Sequence, residues 1–339
     1  MPLRPQATQA MQTRVVLALD IGGTKLAVGV INDAGEVLAD AIEATGNAAS
    51  ADDVVGALLR MAQAAVGRAG VARRALSGVG VSFGGPVDFP RGATVTCHHL
   101  PGWEQFPLRD LVAQRTGLPT VMDNDANAAA LGEATFGAAR GRRDVLYLTV
   151  STGIGGGVII DGRVHRGANS MAGEIGHTLV APDGPVCTCG KRGCLEAVAA
   201  GPGIAAAARE ALEAGGESAL RAIPPAQLTA KEVAQAAATD ALAAGVMRRA
   251  GEYLGVAIAG AVNLLNPDMV VIGGGVSGAG DVLFQPVREA VAQYAVCESV
   301  RNLRIAPGAL GQRGALMGAA ALALAEGEGG PLRRVGAGS

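Results

Sequence analysis

Two stretches of the chain share one layout: an apolar run, a glycine-rich break and a second apolar run. The first is Val15 to Ile31, VVLALDIGGTKLAVGVI, and the second is Asp144 to Ile160, DVLYLTVSTGIGGGVII. Apolar, β-branched runs broken by glycine predict a strand–turn–strand hairpin in each case. Their spacing of about 130 residues predicts an internal duplication, each half opening with a turn of phosphate size. Further strands are expected at Ala75 to Phe83, stopped by Gly84-Gly85-Pro86, and at Leu118 to Met122, running into Asp123-Asn124-Asp125. Another, at Asp268 to Ile272, ends in Gly273-Gly274-Gly275. Helical spacing marks Asp52 to Arg68, capped by Ser50 or Asp52, and the segment after Asp125. Alanine-rich helices are expected over Leu228 to Ala244 and Val246 to Leu265, and a last helix over Gly314 to Glu326. Strands feeding glycine turns, with helices between, predict an α/β protein of two lobes. The division expected is 1–138, with 315–339 as a candidate completion, and 139–314.

Composition narrows the function classes. The chain has 339 residues, 49% hydrophobic and 17% charged, enough apolar material for two cores. A formal net charge of −2 gives no reason to expect nucleic acid or an anionic membrane as partner. Aromatics at 3% are too sparse for base-stacking platforms. The 51 glycines sit in short clusters between apolar runs, which suits tight turns against a ligand. No signal peptide is visible, and the longest apolar stretch, Tyr253 to Leu265, is too short to span a bilayer and is broken by Asn263. A soluble, cytoplasmic protein is expected. Cys187, Cys189 and Cys194 cluster while Cys97 and Cys297 stand apart, which in a reducing compartment points to metal more than to disulfides.

Three sets of residues carry candidate chemistry. In Asp20-Ile21-Gly22-Gly23-Thr24-Lys25 an acid at a strand end precedes exposed backbone N–H groups that could cradle phosphate, with the Thr24 hydroxyl beside them. Asp20 could hold Mg²⁺ through water, because that ion keeps most of its waters. Thr152, Gly153, Ile154, Gly155, Gly156 and Gly157 form a second candidate glycine turn. An ordinary hairpin turn reads the same in either place, and the P-loop pattern GxxxxGK[ST] is absent. Gly273 to Gly278 fits the dinucleotide pattern GxGxxG, but Glu298, the acid about twenty residues on, ends no second strand. Asp125, where a strand meets a helix, suits a base that takes the proton from an attacking hydroxyl, with Asn124 as a neutral hydrogen-bonding neighbour and Asp123 as a possible helix cap. Third, His177, Cys187, Cys189 and Cys194 form H-x9-C-x-C-x4-C, a tetrahedral Zn²⁺ set with no open position, hence structural. Glu174 and Glu196 flank it and would be pinned toward one point, where carboxylates suit sugar hydroxyls.

Together these segments resemble the ROK family (repressors, open reading frames and kinases), and within it the bacterial sugar kinases. The resemblance runs from about Val15 to Met317. Its most specific part is Gly173-Glu174-Ile175-Gly176-His177 followed by Cys187-Thr188-Cys189-Gly190 and Gly193-Cys194-Leu195-Glu196. It implies an actin-like, ribonuclease-H-like two-lobed fold with duplicated halves, holding ATP and a hexose, most readily glucose, in the cleft. It implies Asp125 as base, with Asn124, Glu174, His177, Glu196 and Gly85 around the sugar. It implies Zn²⁺ on His177 and the three cysteines, so that His177 serves metal and sugar through different nitrogens. ATP would lie against Ala18 to Lys25, Gly153 to Ile160 and Gly273-Gly274-Gly275, and a homodimer or homotetramer is expected. The segment Cys97 to Trp103 falls at a loop near the sugar, and its His98 and His99 are given no metal role. Kinases for N-acetylmannosamine or N-acetylglucosamine are the nearest rivals, and a fructokinase a more distant one. A DNA-binding repressor would need a domain before Asp20, where only nineteen residues stand. A dehydrogenase would rest on Gly273 to Gly278 alone.

Overall fold

A computed structural model describes residues 13–45, 50–96 and 102–326. Residues 97–101 of the loop expected at Cys97 to Trp103 therefore lie outside the described residues. The first part of the chain forms β1 (Val15–Ile21), β2 (Lys25–Asn32), β3 (Val37–Ala44), α1 (Ala51–Ala69) and β4 (Leu76–Phe83). A short pair follows, β5 (Val87–Asp88) and β6 (Ala93–Thr94), then α2 (Leu108–Thr116), β7 (Thr120–Asn124) and α3 (Asp125–Phe136). The second part begins with β8 (Val145–Val150), β9 (Ile154–Ile160) and β10 (Arg163–Val164). It continues through α4 (Leu195–Ala199), α5 (Gly201–Glu213), α6 (Ala230–Ala236), α7 (Ala241–Leu265) and β11 (Met269–Gly273), and then α8 (Asp281–Tyr294), α9 (Cys297–Val300), β12 (Arg304–Pro307) and α10 (Gly314–Glu326).

Both predicted hairpins form. β1 pairs antiparallel with β2, and β8 with β9. Each hairpin then builds the same sheet. The orders are β3-β2-β1-β4-β7 and β10-β9-β8-β11-β12, with the first three strands antiparallel and the last two joined in parallel. The duplication expected from the hairpins is thus written in the strand order.

Three apolar clusters hold this frame. One lies between the first sheet and α1, around Leu19, Val55, Leu58, Phe83 and the fully buried Trp103. A second lies between the second sheet and α4 to α8, around Leu148, Ile204, Leu254 and Val287. The third lies between the sheets, where α3 and α10 pack on each other. Small residues make that layer thin: a Cβ on Gly80 would stand 1.7 Å from the Ala319 carbonyl, and one on Gly318 would stand 1.9 Å from that of Ala128. The chain passes from the first sheet to the second through α3 and 137–144, and returns through 308–313 and α10.

The expected helix over Leu228 to Ala244 is not one element. α6 ends at Ala236 and α7 starts at Ala241, because Asp240 is an N-cap whose side chain accepts the Ala243 N–H at 3.0 Å. α7 then runs 25 residues, from Ala241 and not from Val246. Ser50, not Asp52, caps α1, accepting the Asp53 N–H at 3.2 Å. Among the described residues no helix is long and apolar enough to cross a membrane.

Candidate active site

The strand ends decide where the polar side chains go. β7 stops at Asn124, whose side-chain oxygen accepts the N–H groups of Ala126 (2.9 Å) and Asn127 (3.3 Å) and so starts α3. Its Nδ2 donates to the Gly85 carbonyl (3.1 Å) and to Asp125 Oδ1 (3.0 Å). The Ala126 N–H also donates to Asp125 Oδ1, at 2.8 Å. These bonds hold the Asp125 carboxylate in one orientation, toward a cavity of about 970 Å³ between the sheets. Asp123 does not cap the helix. It is fully buried and accepts from the Asn124 N–H (2.8 Å), Asn127 Nδ2 (3.0 Å) and Arg166 Nε (2.8 Å).

Asp20 leaves β1 on the same side and is nearly as buried. The Ser82 hydroxyl donates to it at 2.8 Å. Burial pushes its carboxyl above the usual range, and the Ser82 bond and the Lys25 charge pull it back. Asp125 is pushed up to about 6, first by burial and then by the negative charge of Asp20. Two carboxylates so placed favour a proton or a cation between them. A base near 6 is charged at neutral pH yet more basic than an ordinary carboxylate.

The turn between β1 and β2 brings Gly22, Thr24 and Lys25 to the cavity, and Gly23 is not among the residues that line it. Across from it stand Ser151, Thr152 and Gly153, between β8 and β9. The second glycine run is not all turn: Gly155, Gly156 and Gly157 lie within β9. They are glycine because α3 and the Gly173 segment lie against that strand. A Cβ on Gly157 would stand 2.6 Å from Ala130 Cβ, and one on Gly156 would stand 2.5 Å from the Gly173 carbonyl. Gly273 to Gly275 also line the cavity, and Gly274 has φ +83°. The residues after them form a 3₁₀ turn, Gly275–Ala279, rather than the α-helix that follows a dinucleotide fingerprint.

Glu174, His177 and Glu196 reach the same cavity. Glu196 passes under the β8–β9 turn, where its Oε2 accepts the Ile154 N–H at 2.9 Å and its Oε1 accepts the Thr188 hydroxyl at 3.1 Å. A Cβ on Gly153 would meet Oε2 at 2.6 Å, so that position leaves room for the carboxylate. Isolated bridges Leu179–Cys194 and Val186–Arg192 fold the cysteine loop back on itself. The ligand atoms of His177, Cys187, Cys189 and Cys194 then lie within 4.8 Å of one another. Cys189 and Cys194 sulfurs are 3.7 Å apart, and Cys187 Sγ is 3.6 Å from His177 Nδ1. A tetrahedron with Zn–S bonds of about 2.3 Å has edges of about 3.8 Å. The donor set has the size and the chemistry of a Cys₃His metal site. His177 turns its other nitrogen, Nε2, toward Glu174 Oε2 at 3.9 Å.

Several residues at this site escaped sequence reasoning. Tyr147, whose hydroxyl burial pushes up to about 12, lines the cavity with Thr149 and Ser151. The alternation of β8, with Leu146, Leu148 and Val150 in the core, was the available signal. Arg166 stacks its guanidinium 3.5 Å over the Phe89 ring while bonding Asp123, and no local pattern announces it. A second cavity, of about 760 Å³, shares Ser151, Thr152, Gly275 and Gly278 with the first. Its walls are Pro202, Ala205, Leu228, Val276 and Ala279, with Arg209, Lys231 and Gln235 at its polar positions.

The model of the ROK family matches residues 16–326. The chain belongs to the ROK family. A glucokinase of Halalkalibacterium halodurans is 41% identical over 295 residues, covering 84% of this chain and 88% of that one. Among solved structures, a ROK hexokinase from Thermus thermophilus is 36% identical with a TM-score of 0.77, covering 93% of this chain and all of that one. A ROK glucokinase from Streptomyces griseus, solved with glucose and AMPPNP, is 34% identical with a TM-score of 0.76, covering 90% and 98%. The repeated sheet order is accordingly the actin-like, ribonuclease-H-like fold of ROK sugar kinases.

Proposed function

We infer that this ROK protein is an ATP-dependent sugar kinase that converts glucose to glucose 6-phosphate. The observation that carries the reading is the aim of Asp125 into a cavity that the glycine turns and Glu174, His177 and Glu196 also line. Asp125 takes the proton of the sugar 6-hydroxyl as that oxygen attacks the γ-phosphorus of ATP. The bond to the β–γ bridging oxygen breaks, and ADP leaves. Asn124, Gly85, Glu174, His177 and Glu196 hold the sugar. Gly22, Gly23, Thr152, Gly153, Gly155, the Gly274 and Gly275 turn, the Thr24 hydroxyl and Lys25 hold the phosphates. The second cavity, apolar with a few polar groups and sharing four lining residues with the first, suits the nucleoside. Asp20 would bind Mg²⁺ through water, which supplies charge neutralisation at the phosphates. His177, Cys187, Cys189 and Cys194 would hold Zn²⁺, which supplies no reaction step and fixes the loop that bears Glu174 and Glu196. Of the described residues, those from 13 to 138 with 315–326 form one lobe and 139–314 the other, and the lobes close on the ligands and exclude water. The enzyme works in the cytoplasm as a homodimer or homotetramer, without nucleic-acid or membrane partners.

A coupled assay tests this with ATP and glucose, N-acetylmannosamine, N-acetylglucosamine and fructose. The expected outcome is the highest kcat/KM on glucose. A higher value on an N-acetylated sugar would reassign the substrate, and no phosphoryl transfer to any of the four would overturn the kinase reading.

A further inference from the structure

The two connections between the sheets, 137–144 and 308–313, are far apart in sequence, yet one side chain is bonded to both. Glu133, on the last turn of α3, is 2% exposed. Its Oε2 accepts the N–H of Ala138 at 2.7 Å and that of Ala309 at 3.1 Å, and its Oε1 accepts that of Leu310 at 2.9 Å. Ala138 belongs to the outgoing connection, and Ala309 and Leu310 to the returning one. The backbone is shaped around the group: a Cβ on Gly137 would stand 2.0 Å from Oε2, and one on Gly308 would stand 2.7 Å from Oε1.

An ionised carboxylate has acceptor sites only, so three converging N–H groups suit it as they suit no neutral side chain. Burying the charge is costly, and charge-assisted bonds to backbone amides offset that cost. The layer between the sheets already packs through the alanines and glycines of α3 and α10, so apolar packing alone does not call for a carboxylate at its edge. What the carboxylate adds is a common anchor for both passages of the chain, beside the cavity that it also lines.

We propose that Glu133 is a positioning residue that ties both connections to one helix end. The two sheets then turn about a single hinge, and closure over the sugar is coupled to closure over the nucleotide. The ligand part rests on the kinase reading, and the anchor itself does not.

Two measurements on the full chain test this. Amide hydrogen exchange without ligands is compared between wild type and Glu133→Gln, which turns one acceptor into a donor facing an N–H. The segments 137–144 and 308–313 should both exchange at least about tenfold faster, while β1, β4, β8 and β11 keep their protection. In the second measurement, titration calorimetry reads the glucose Kd with and without AMPPNP. In wild type the nucleotide should tighten glucose binding at least about fivefold, and in Glu133→Gln the factor should fall to within about twofold of one. Should Glu133→Gln fail to fold, Glu133→Asp replaces it, since it keeps every acceptor and is short by one methylene. A loosening confined to one connection overturns the proposal. So does a coupling factor near one in wild type, or one that is unchanged in a variant that has merely lost thermal stability. If wild type phosphorylates none of the four sugars, the kinase reading fails, and the exchange arm alone decides the anchor.

Discussion

The first and second sheets repeat one strand order, but their strands end in different chemistry. The first sheet delivers acids directly from its frame, Asp20 at the end of β1 and Asp125 just past β7. The corresponding strands of the second, β8 and β12, lead to Ser151 and Thr152 and to Gly308. Its carboxylates come from the segment after β10, which bears Glu174, and from the first turn of α4, which bears Glu196, on either side of the His177 and cysteine cluster. The repeated fold thus places two glycine-bearing turns at equivalent positions, one beside acids and the other beside neutral hydroxyls. Phosphoryl transfer needs that asymmetry, because a base must face a phosphate without a second set of negative charges behind it.

Replacing the acid of the first half is expected to have the largest effect. Asp125→Asn should lower kcat on the order of 10²–10⁴-fold with glucose binding retained, measured by steady-state assay and calorimetry. Near-normal turnover would move the base elsewhere. In the parent enzyme kcat should fall as pH drops through about 6, as the Asp125 carboxylate takes up its proton. Stability should move the other way. Because its folded-state pKa is raised, Asp125 costs stability increasingly between about pH 4 and 6 as it ionises. Asp125→Asn removes that cost, so the variant should unfold at higher temperature than the parent at pH 7, and the gap should close below about pH 4.

The halves also meet through one buried ion pair, Arg166 of the second with Asp123 of the first. Burial pushes the Asp123 carboxyl up, and the Arg166 charge and the Asn127 bond pull it back. Arg166→Met leaves a fully buried carboxylate without its cation and should destabilise by roughly 3 kcal/mol. Asp123→Asn in the same chain should recover much of the loss, since no charge is then buried. Denaturant unfolding reads both, and equal stability of the single and double variants would show that the pair does not bridge the halves.

How much of this was legible in the sequence depended on how local the cause was. The hairpins showed because β-branched runs around glycine have few other uses, and the last helix was found with its observed bounds. Spacing alone marked the four cysteine-loop ligands. β3 was missed because it is an exposed edge strand, VLADAIEA, without a clean apolar alternation. The break before α7 was missed although Asp240 carried a capping signal, because the surrounding alanines read as helix throughout. Arg166 and Asp123 are 43 residues apart, and Glu133 and Leu310 are 177 apart. Only tertiary structure pairs such groups.

The smallest effects separate the glycines of the two turn motifs. A Cβ on Gly22 would stand 3.1 Å from the Lys25 carbonyl, a contact that a shift of a few tenths of an ångström relieves. Gly22→Ala should therefore change stability by under about 1 kcal/mol and act chiefly by raising the KM for ATP, since Gly22 lines the cavity. A Cβ on Gly157 meets Ala130 and the Ala126 carbonyl at 2.6 Å, inside a strand packed on α3. Gly157→Ala should cost roughly 1–3 kcal/mol by overpacking. It should also lower kcat, because Ala126 adjoins Asp125 and α3 must move to make room. Equal stability losses in the two variants would mean that both glycines answer to the same constraint. A loss confined to Gly157 would show that only the first motif keeps its glycine for the ligand.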